Sequence, residues 1–400
     1  MQSKLNQKVA NSGDVVKLDQ LTGWRFIAAF GVVLCHFSDF LFPHQSLTFL
    51  SLWKGMANFV GFFFILSGFI LAYNYQAKMV TGKTSVRSFL IARFARIYPA
   101  LIFSLVISIP AFLTINYKLH TPVPSLLAYS FSSVLLIKTW LPFVNWGGVS
   151  AWNAPTWSIE TEFFFYLCFP FLIRPLSKLT MRANISLWIA LVGLMTGAAA
   201  SFDFFAPRPG IEPFFGAFEL LHSSPYFCVF EFILGILTFN IAKNLPKQTL
   251  SYVRDNSRWI FAILVSLYLG LNMFLPIMSR FHGIPAIVFS GAILLSYTSP
   301  APLKFLQTPK FLYLGETSYS LYLLHCPVLG AFLLGAKIFG PLGYLKQELP
   351  PLFAFFAIAT SFGLAALCHK FVEVPWRTKI IRKLAPRNEV LFPKSEAKAA

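Results

Sequence analysis

Charge is scarce in this chain. Asp, Glu, Lys and Arg together make up 12% of its 400 residues, where a soluble domain carries about 25%. A water-exposed fold of this size could not clothe its surface with so little polar material, and an intrinsically disordered chain needs far more. Cysteine is sparse too. The five (Cys35, Cys168, Cys228, Cys326, Cys368) are scattered through apolar stretches with no C-x-x-C spacing, which argues against a disulfide scaffold and leaves them as small buried hydrophobes. There is no G-x-x-x-x-G-K-[ST] phosphate loop, no G-x-S-x-G elbow and no H-x-x-H or H-E-x-x-H pair, so no metal site is expected.

What is abundant is apolar. Hydrophobic residues make up 56% of the chain and 46 residues are Phe, the composition of a protein solvated mainly by lipid. The formal charge of +18 does not point to nucleic acid, because the basic residues fall in short clusters between apolar stretches. That pattern orients a polytopic protein in its membrane.

A hydrocarbon layer of about 30 Å requires roughly 17–25 apolar residues per helix. The sequence predicts spans near 24–42, 55–75, 97–116, 157–173, 184–201, 223–241, 259–276, 281–298, 314–337 and 350–371. The expected fold is therefore an all-α integral membrane bundle of about ten helices. Most Lys and Arg then lie on the side that holds both termini, which the positive-inside rule makes cytoplasmic. Residues 1–23 read as a cytoplasmic segment, 24–376 as the membrane domain and 377–400 as a basic tail resting on anionic lipid. The first helix reads as a signal anchor rather than a cleaved leader. Residues 125–137 are apolar but short, and read as a re-entrant or interfacial piece.

Ionisable groups inside spans are costly and default to functional candidates. Arg25 and His36 are eleven residues apart, which puts them about 20° apart on one helix face and roughly 16 Å apart along the axis. His36 is open between a general base facing a polar cavity and a neutral histidine bonded to a backbone carbonyl. Arg93 and Arg96 share a helix face and could grip phosphate oxygens together, or could simply set topology. Glu160 and Glu162 open a span on different faces, one suited to the helix N-terminus and the other to the bundle interior. Glu231 reads as an interhelical hydrogen-bond partner, His325 as a packed, hydrogen-bonded histidine, and Gly61 to Gly68 as a surface for close helix packing.

Taken in order, these segments resemble the acyltransferase family 3 of integral-membrane O-acyltransferases. Arg25 leading to His36 is similar to the family's R-x10-H helix, Gly61 to Phe69 to its G-F-F-x-L-S-G-F helix, and Arg93 to Pro99 to its R-x-x-R motif. Trp157 to Glu162 is similar to W-S-L-x-x-E, Gly315 to His325 to G-x-x-S-Y-S-L-Y-L-x-H, and Glu373 to Pro375 to the closing E-x-P. The resemblance implies a ten-helix fold in the bacterial cytoplasmic (inner) membrane. It also implies transfer of an acyl group, most simply acetyl, from cytoplasmic acyl-CoA to a hydroxyl of a cell-surface or lipid-linked carbohydrate. His36 takes the catalytic position, with Arg25 orienting it or holding donor phosphate. Arg93 and Arg96 take the acyl-CoA positions and Glu162 the acidic one, while Glu160 stands where many members have a small polar residue. Some members add an extracellular hydrolase-like domain; none is read here, so direct transfer or handover to a partner is expected. The competing expectation is a secondary transporter or exporter of a lipid-linked glycan.

Overall fold

The computed structural model describes residues 18–385, apart from 145, 147, 206–214 and 300. The rest of the N-terminal segment and residues 386–400 of the basic tail lie outside the described residues. Among those described, every regular element is helical. The long helices are α1 (Asp19–Leu41), α2 (Phe59–Val80), α3 (Val86–Lys118), α4 (Thr156–Ser177), α5 (Met181–Phe205), α6 (Pro225–Lys243), α7 (Ser257–Phe274), α8 (Ile284–Thr298), α9 (Pro309–Gly335) and α10 (Pro350–Cys368). They coincide one for one with the expected spans.

Nine helices among the described residues are long and apolar enough to cross a membrane, and the protein is an all-α integral membrane protein. The expected span that falls outside this set is α4. At 22 residues it has the length to cross, but its first turns carry Glu160 and Glu162. The short apolar stretch forms a helix of 12 residues, Val123–Val134, about 18 Å long and too short to span.

Local signals set the helix ends. Ser85 and Ser224 cap α3 and α6 by accepting from the backbone N–H of Ser88 and Tyr226. Proline occupies the first turn of α6, α8, α9 and α10, where its missing N–H costs nothing. Gly283 enters α8 at φ +81° beside Thr196, a conformation and a closeness that a side chain would not tolerate.

Glycine also brings the bundle's central pair together. A Cβ on Gly68 of α2 would stand 2.0 Å from the Phe232 carbonyl oxygen, and one on Gly235 of α6 2.0 Å from that of Ile65. The two backbones therefore touch, as small residues allow inside a membrane. Gly61, two turns earlier, leaves room for the Glu231 carboxylate. Glu231 is a hydrogen-bond partner across the bundle, 3.0 Å from Nδ1 of His282 in the turn before α8. At the other end of this pair Gln76 donates to Asn240, which donates in turn to the Leu176 carbonyl, so that α2, α6 and α4 are joined by a buried polar ladder. A second close crossing joins α1 to α9, where a Cβ on Gly315 would lie 2.1 Å from the Thr22 carbonyl oxygen. A smaller apolar core of Val33, Phe37, Leu321, Val328, Ala354 and Ala357 then packs α1 and α9 against α10.

Candidate active site

Between these helix groups lies a cavity of about 510 Å³, within the range of small-molecule sites. Its wall carries five basic side chains, Arg25, Lys78, Arg93, Arg96 and Arg377, against three acidic ones, Asp19, Glu162 and Glu316. Arg377 belongs to the helix Val374–Leu384, so the first turns of the basic tail form part of this wall.

Four of the five residues expected at the site meet here. Arg25 comes from the second turn of α1 and makes no salt bridge among the described residues. Arg93 donates to the Tyr75 hydroxyl at 3.1 Å and lies between the Tyr75 and Tyr166 rings, 5.3 and 5.9 Å from their centroids. Arg96 lies against the Tyr319 ring and pairs with Glu373. Glu373 is fully buried and also accepts from Ser320 at 2.8 Å. It sits at the end of a π-helical turn, His369–Glu373, a local widening common at functional sites. Glu162 accepts at one oxygen, Oε1, from Ser67 at 3.0 Å and Tyr166 at 2.7 Å.

The two neighbouring carboxylates thus part company. Glu160 is fully buried, points away from the cavity and takes the Thr139 N–H at 2.9 Å, with Lys138 Nζ at 3.5 Å. Burial alone would lower the Lys138 pKa, but Glu160 and the Tyr129 hydroxyl more than offset it and hold the ammonium above its ordinary value. Glu160 therefore ties the turn Lys138–Trp140 to α4. Lys138, Tyr75 and Tyr166 were not singled out in the sequence: each finds its partner only through tertiary packing.

His36 does not line this cavity. It shares α1 with Arg25, but an unbroken helix of eleven intervening steps keeps them roughly 16 Å apart, beyond hydrogen-bond reach. Arg25 lines the cavity, the position from which the alternative expectation has it hold donor phosphate. His36 instead meets His325 of α9. Its Nδ1 is 2.9 Å from the Val32 carbonyl oxygen and 3.2 Å from His325 Nε2. His325 is fully buried, as the packed reading expected, and its Nδ1 lies 3.3 Å from the Leu321 carbonyl. Tyr322, one turn earlier on α9, lines the cavity, donates to or accepts from Ser158 at 2.7 Å and has its ring 6.0 Å from that of His325. His325 thus follows a cavity-lining residue of α9 by one turn.

Pro327 helps to place His325. A proline cannot donate to the carbonyl four residues earlier, and that carbonyl, Leu323, is taken by the Asn153 amide at 2.9 Å. Cys326 joins the pair: its sulfur and one nitrogen of each ring lie within 4.8 Å of one another. The linear sequence shows no Cys/His cluster, yet the fold assembles one. Its imidazoles already direct their Nδ1 atoms at backbone carbonyls.

The class these features define is an all-helical integral membrane protein with a basic cavity and a histidine pair. Sequence comparison makes this specific: a family model for the acyltransferase domain matches residues 18–370, and the chain belongs to that family of acyl-transferring enzymes. It is similar to an acyltransferase, MdmB, of Streptomyces mycarofaciens, at 29% identity over 90% of this chain and 92% of that protein. It is also similar to the O-acetyltransferase OatA of Staphylococcus aureus (strain MRSA252), at 22% identity over 94% of this chain but only 60% of that protein. No solved structure matches.

Proposed function

We propose that the protein is an O-acyltransferase, most simply an O-acetyltransferase, of the bacterial cytoplasmic membrane. It moves an acyl group from cytoplasmic acyl-CoA to a hydroxyl of a cell-surface or lipid-linked carbohydrate. The observation that carries this reading is the surplus of basic side chains on the wall of a cavity that is also lined by Tyr322, one turn before His325 of the histidine pair. CoA is a polyanion with a long, thin arm. Its phosphates match Arg25, Arg93 and Arg96 on the cavity wall, and its arm can run past Tyr322 towards His36. The similarity to an O-acetyltransferase favours a hydroxyl acceptor and an acetyl group.

In this reading His36 is the general base. Its Nε2 takes the proton of the acceptor hydroxyl as that oxygen attacks the thioester carbonyl. The C–S bond then breaks, and His36 Nε2 returns that proton to the departing thiolate of CoA. Glu162, with Oε1 occupied by Ser67 and Tyr166, offers Oε2 to an amide N–H of the donor. A covalent acyl-histidine is the other route by which the same side chain could act.

The test is release of free CoA thiol from acetyl-CoA by the purified protein in lipid, supplied with a cell-envelope glycan fraction. Acceptor-dependent release that vanishes in His36→Ala supports the reading. Release that survives His36→Ala removes the base assignment, and failure to bind acetyl-CoA at all removes the donor.

A further inference from the structure

The two histidines have only one way to share their protons when neutral. A carbonyl oxygen can only accept, so His36 Nδ1, 2.9 Å from the Val32 oxygen, must carry the proton. His325 Nε2, 3.2 Å from that same Nδ1, must then be the bare nitrogen. Its own proton falls on Nδ1, which faces the Leu321 carbonyl. Each assignment forces the next, and the chain of donors ends on α9 backbone. What is left over is the lone pair of His36 Nε2.

From this we infer that His325 is a positioning residue for His36: it holds the His36 ring in the Nδ1–H tautomer that bares Nε2 and shares the positive charge when Nε2 takes up a proton. The inference rests on the proposed reading of His36 as the base. The role is the one a carboxylate plays behind the histidine of a serine hydrolase, filled here by a neutral ring. In a lipid-embedded bundle the substitution has a physical reason. A carboxylate at this depth would need a counter-charge of its own, whereas an imidazole gives an acceptor without one. His325 is suited to the task because it is fully buried, with its donor side satisfied by Leu321 and the helix locally released by Pro327. The free ring prefers its proton on Nε2, so a lone Val32 carbonyl must work against that preference. A second acceptor at the same proton settles it.

The experiment uses the full chain in lipid nanodiscs with 15N-labelled histidine, the two rings being assigned with His36→Gln and His325→Gln. In the wild type, His36 should carry its proton on Nδ1 alone. In His325→Leu it should show a mixture of both tautomers, and kcat should fall about 100-fold while the KM for acetyl-CoA stays within about twofold. His325→Gln returns an acceptor oxygen and should recover about tenfold of the loss. A thermal melt of each variant reports whether it has folded. An Nε2–H tautomer at His36 in the wild type would overturn the inference, as would an unchanged kcat in a folded His325→Leu. So would a metal-dependent shift of both rings, reversed by chelator, since it would make the cluster with Cys326 a ligand set. The tautomer readout is independent of turnover. A chain that consumes no acyl-CoA but shows Nδ1–H at His36 would sink the proposed function and leave the pairing standing.

Discussion

The two polar ends of α1 follow opposite rules. At the Arg25 end the helix opens onto a cavity where basic side chains outnumber acidic ones. At the His36 end the ring nitrogens other than His36 Nε2 each find a partner in backbone or in the other ring. One end is lined mainly by positive charge, and the other pairs all but one of its ring nitrogens within the fold. Buried polar groups that merely hold the bundle together, such as Glu231 with His282 or Gln76 with Asn240, resemble the second end in being paired. Under the proposed function, donor recognition belongs to one end of the helix and chemistry to the other.

The sharpest way to break this comparison is to remove His36. His36→Ala should lower kcat by about 10³-fold or more, while binding of acetyl-CoA, read by isothermal calorimetry, stays within about threefold. Equal losses in both quantities would mean that the two ends are a single site.

The next effect concerns stability, not turnover. Lys138→Met leaves the buried Glu160 without its cation, and stripping one partner from a buried pair costs about 3 kcal/mol. The melting temperature in lipid should drop clearly, while the surviving enzyme keeps its KM for the donor. Replacement of both, Lys138→Met with Glu160→Leu, should restore much of the loss. If Lys138→Met instead raised KM and left the melt unchanged, Glu160 would belong to the site and the division between the two carboxylates would be wrong.

These divisions were unevenly legible in the sequence. Length and hydropathy alone placed all the long helices, because lipid leaves backbone no alternative to the helix. They placed α4 as well, despite carboxylates that hold its hydropathy down. Periodicity put Arg25 and His36 on one face, which a straight helix guarantees. Pairing across the bundle could not be read in this way. His36 and His325 are 289 positions apart, and Arg96 and Glu373 are 277 apart; no local pattern records which helices will be neighbours. Glu373 entered only through its resemblance to a family motif. The separate fates of Glu160 and Glu162 follow from which helix each faces, and a spacing of two residues says only that the faces differ.

A third prediction tests the open end. Arg93→Ala/Arg96→Ala should raise the KM for acetyl-CoA about 10- to 100-fold with a smaller change in kcat, since each arginine offers charge-assisted hydrogen bonds to a phosphate. The wild-type KM should rise with salt, and the double variant's should rise less. Dephospho-CoA thioesters, one phosphate poorer, should lose less from the mutation than acetyl-CoA does. The result that counts against the reading is a fall in kcat at constant KM. Arg96 is held by Glu373 and Arg93 by Tyr75, so Glu373→Gln should reproduce part of the double variant's effect without touching a phosphate itself.

The smallest expected effect probes how Glu162 is held. Ser67 from α2 and Tyr166 from α4 both donate to the same carboxylate oxygen, so each supports the position the other supports. Ser67→Ala and Tyr166→Phe each remove one hydrogen bond to a charged acceptor, worth about 1.5–3 kcal/mol at most and less if water replaces it. Each single variant should lower kcat/KM by less than about tenfold. Groups that share a partner do not behave independently. With one donor gone the carboxylate can turn towards the cavity, so the second loss removes its last anchor. The double variant should therefore lose more than the product of the singles. Strict multiplicativity would mean that Glu162 is held by its own helix, with the two hydroxyls as bystanders, and that α4 alone positions the acidic member of the site.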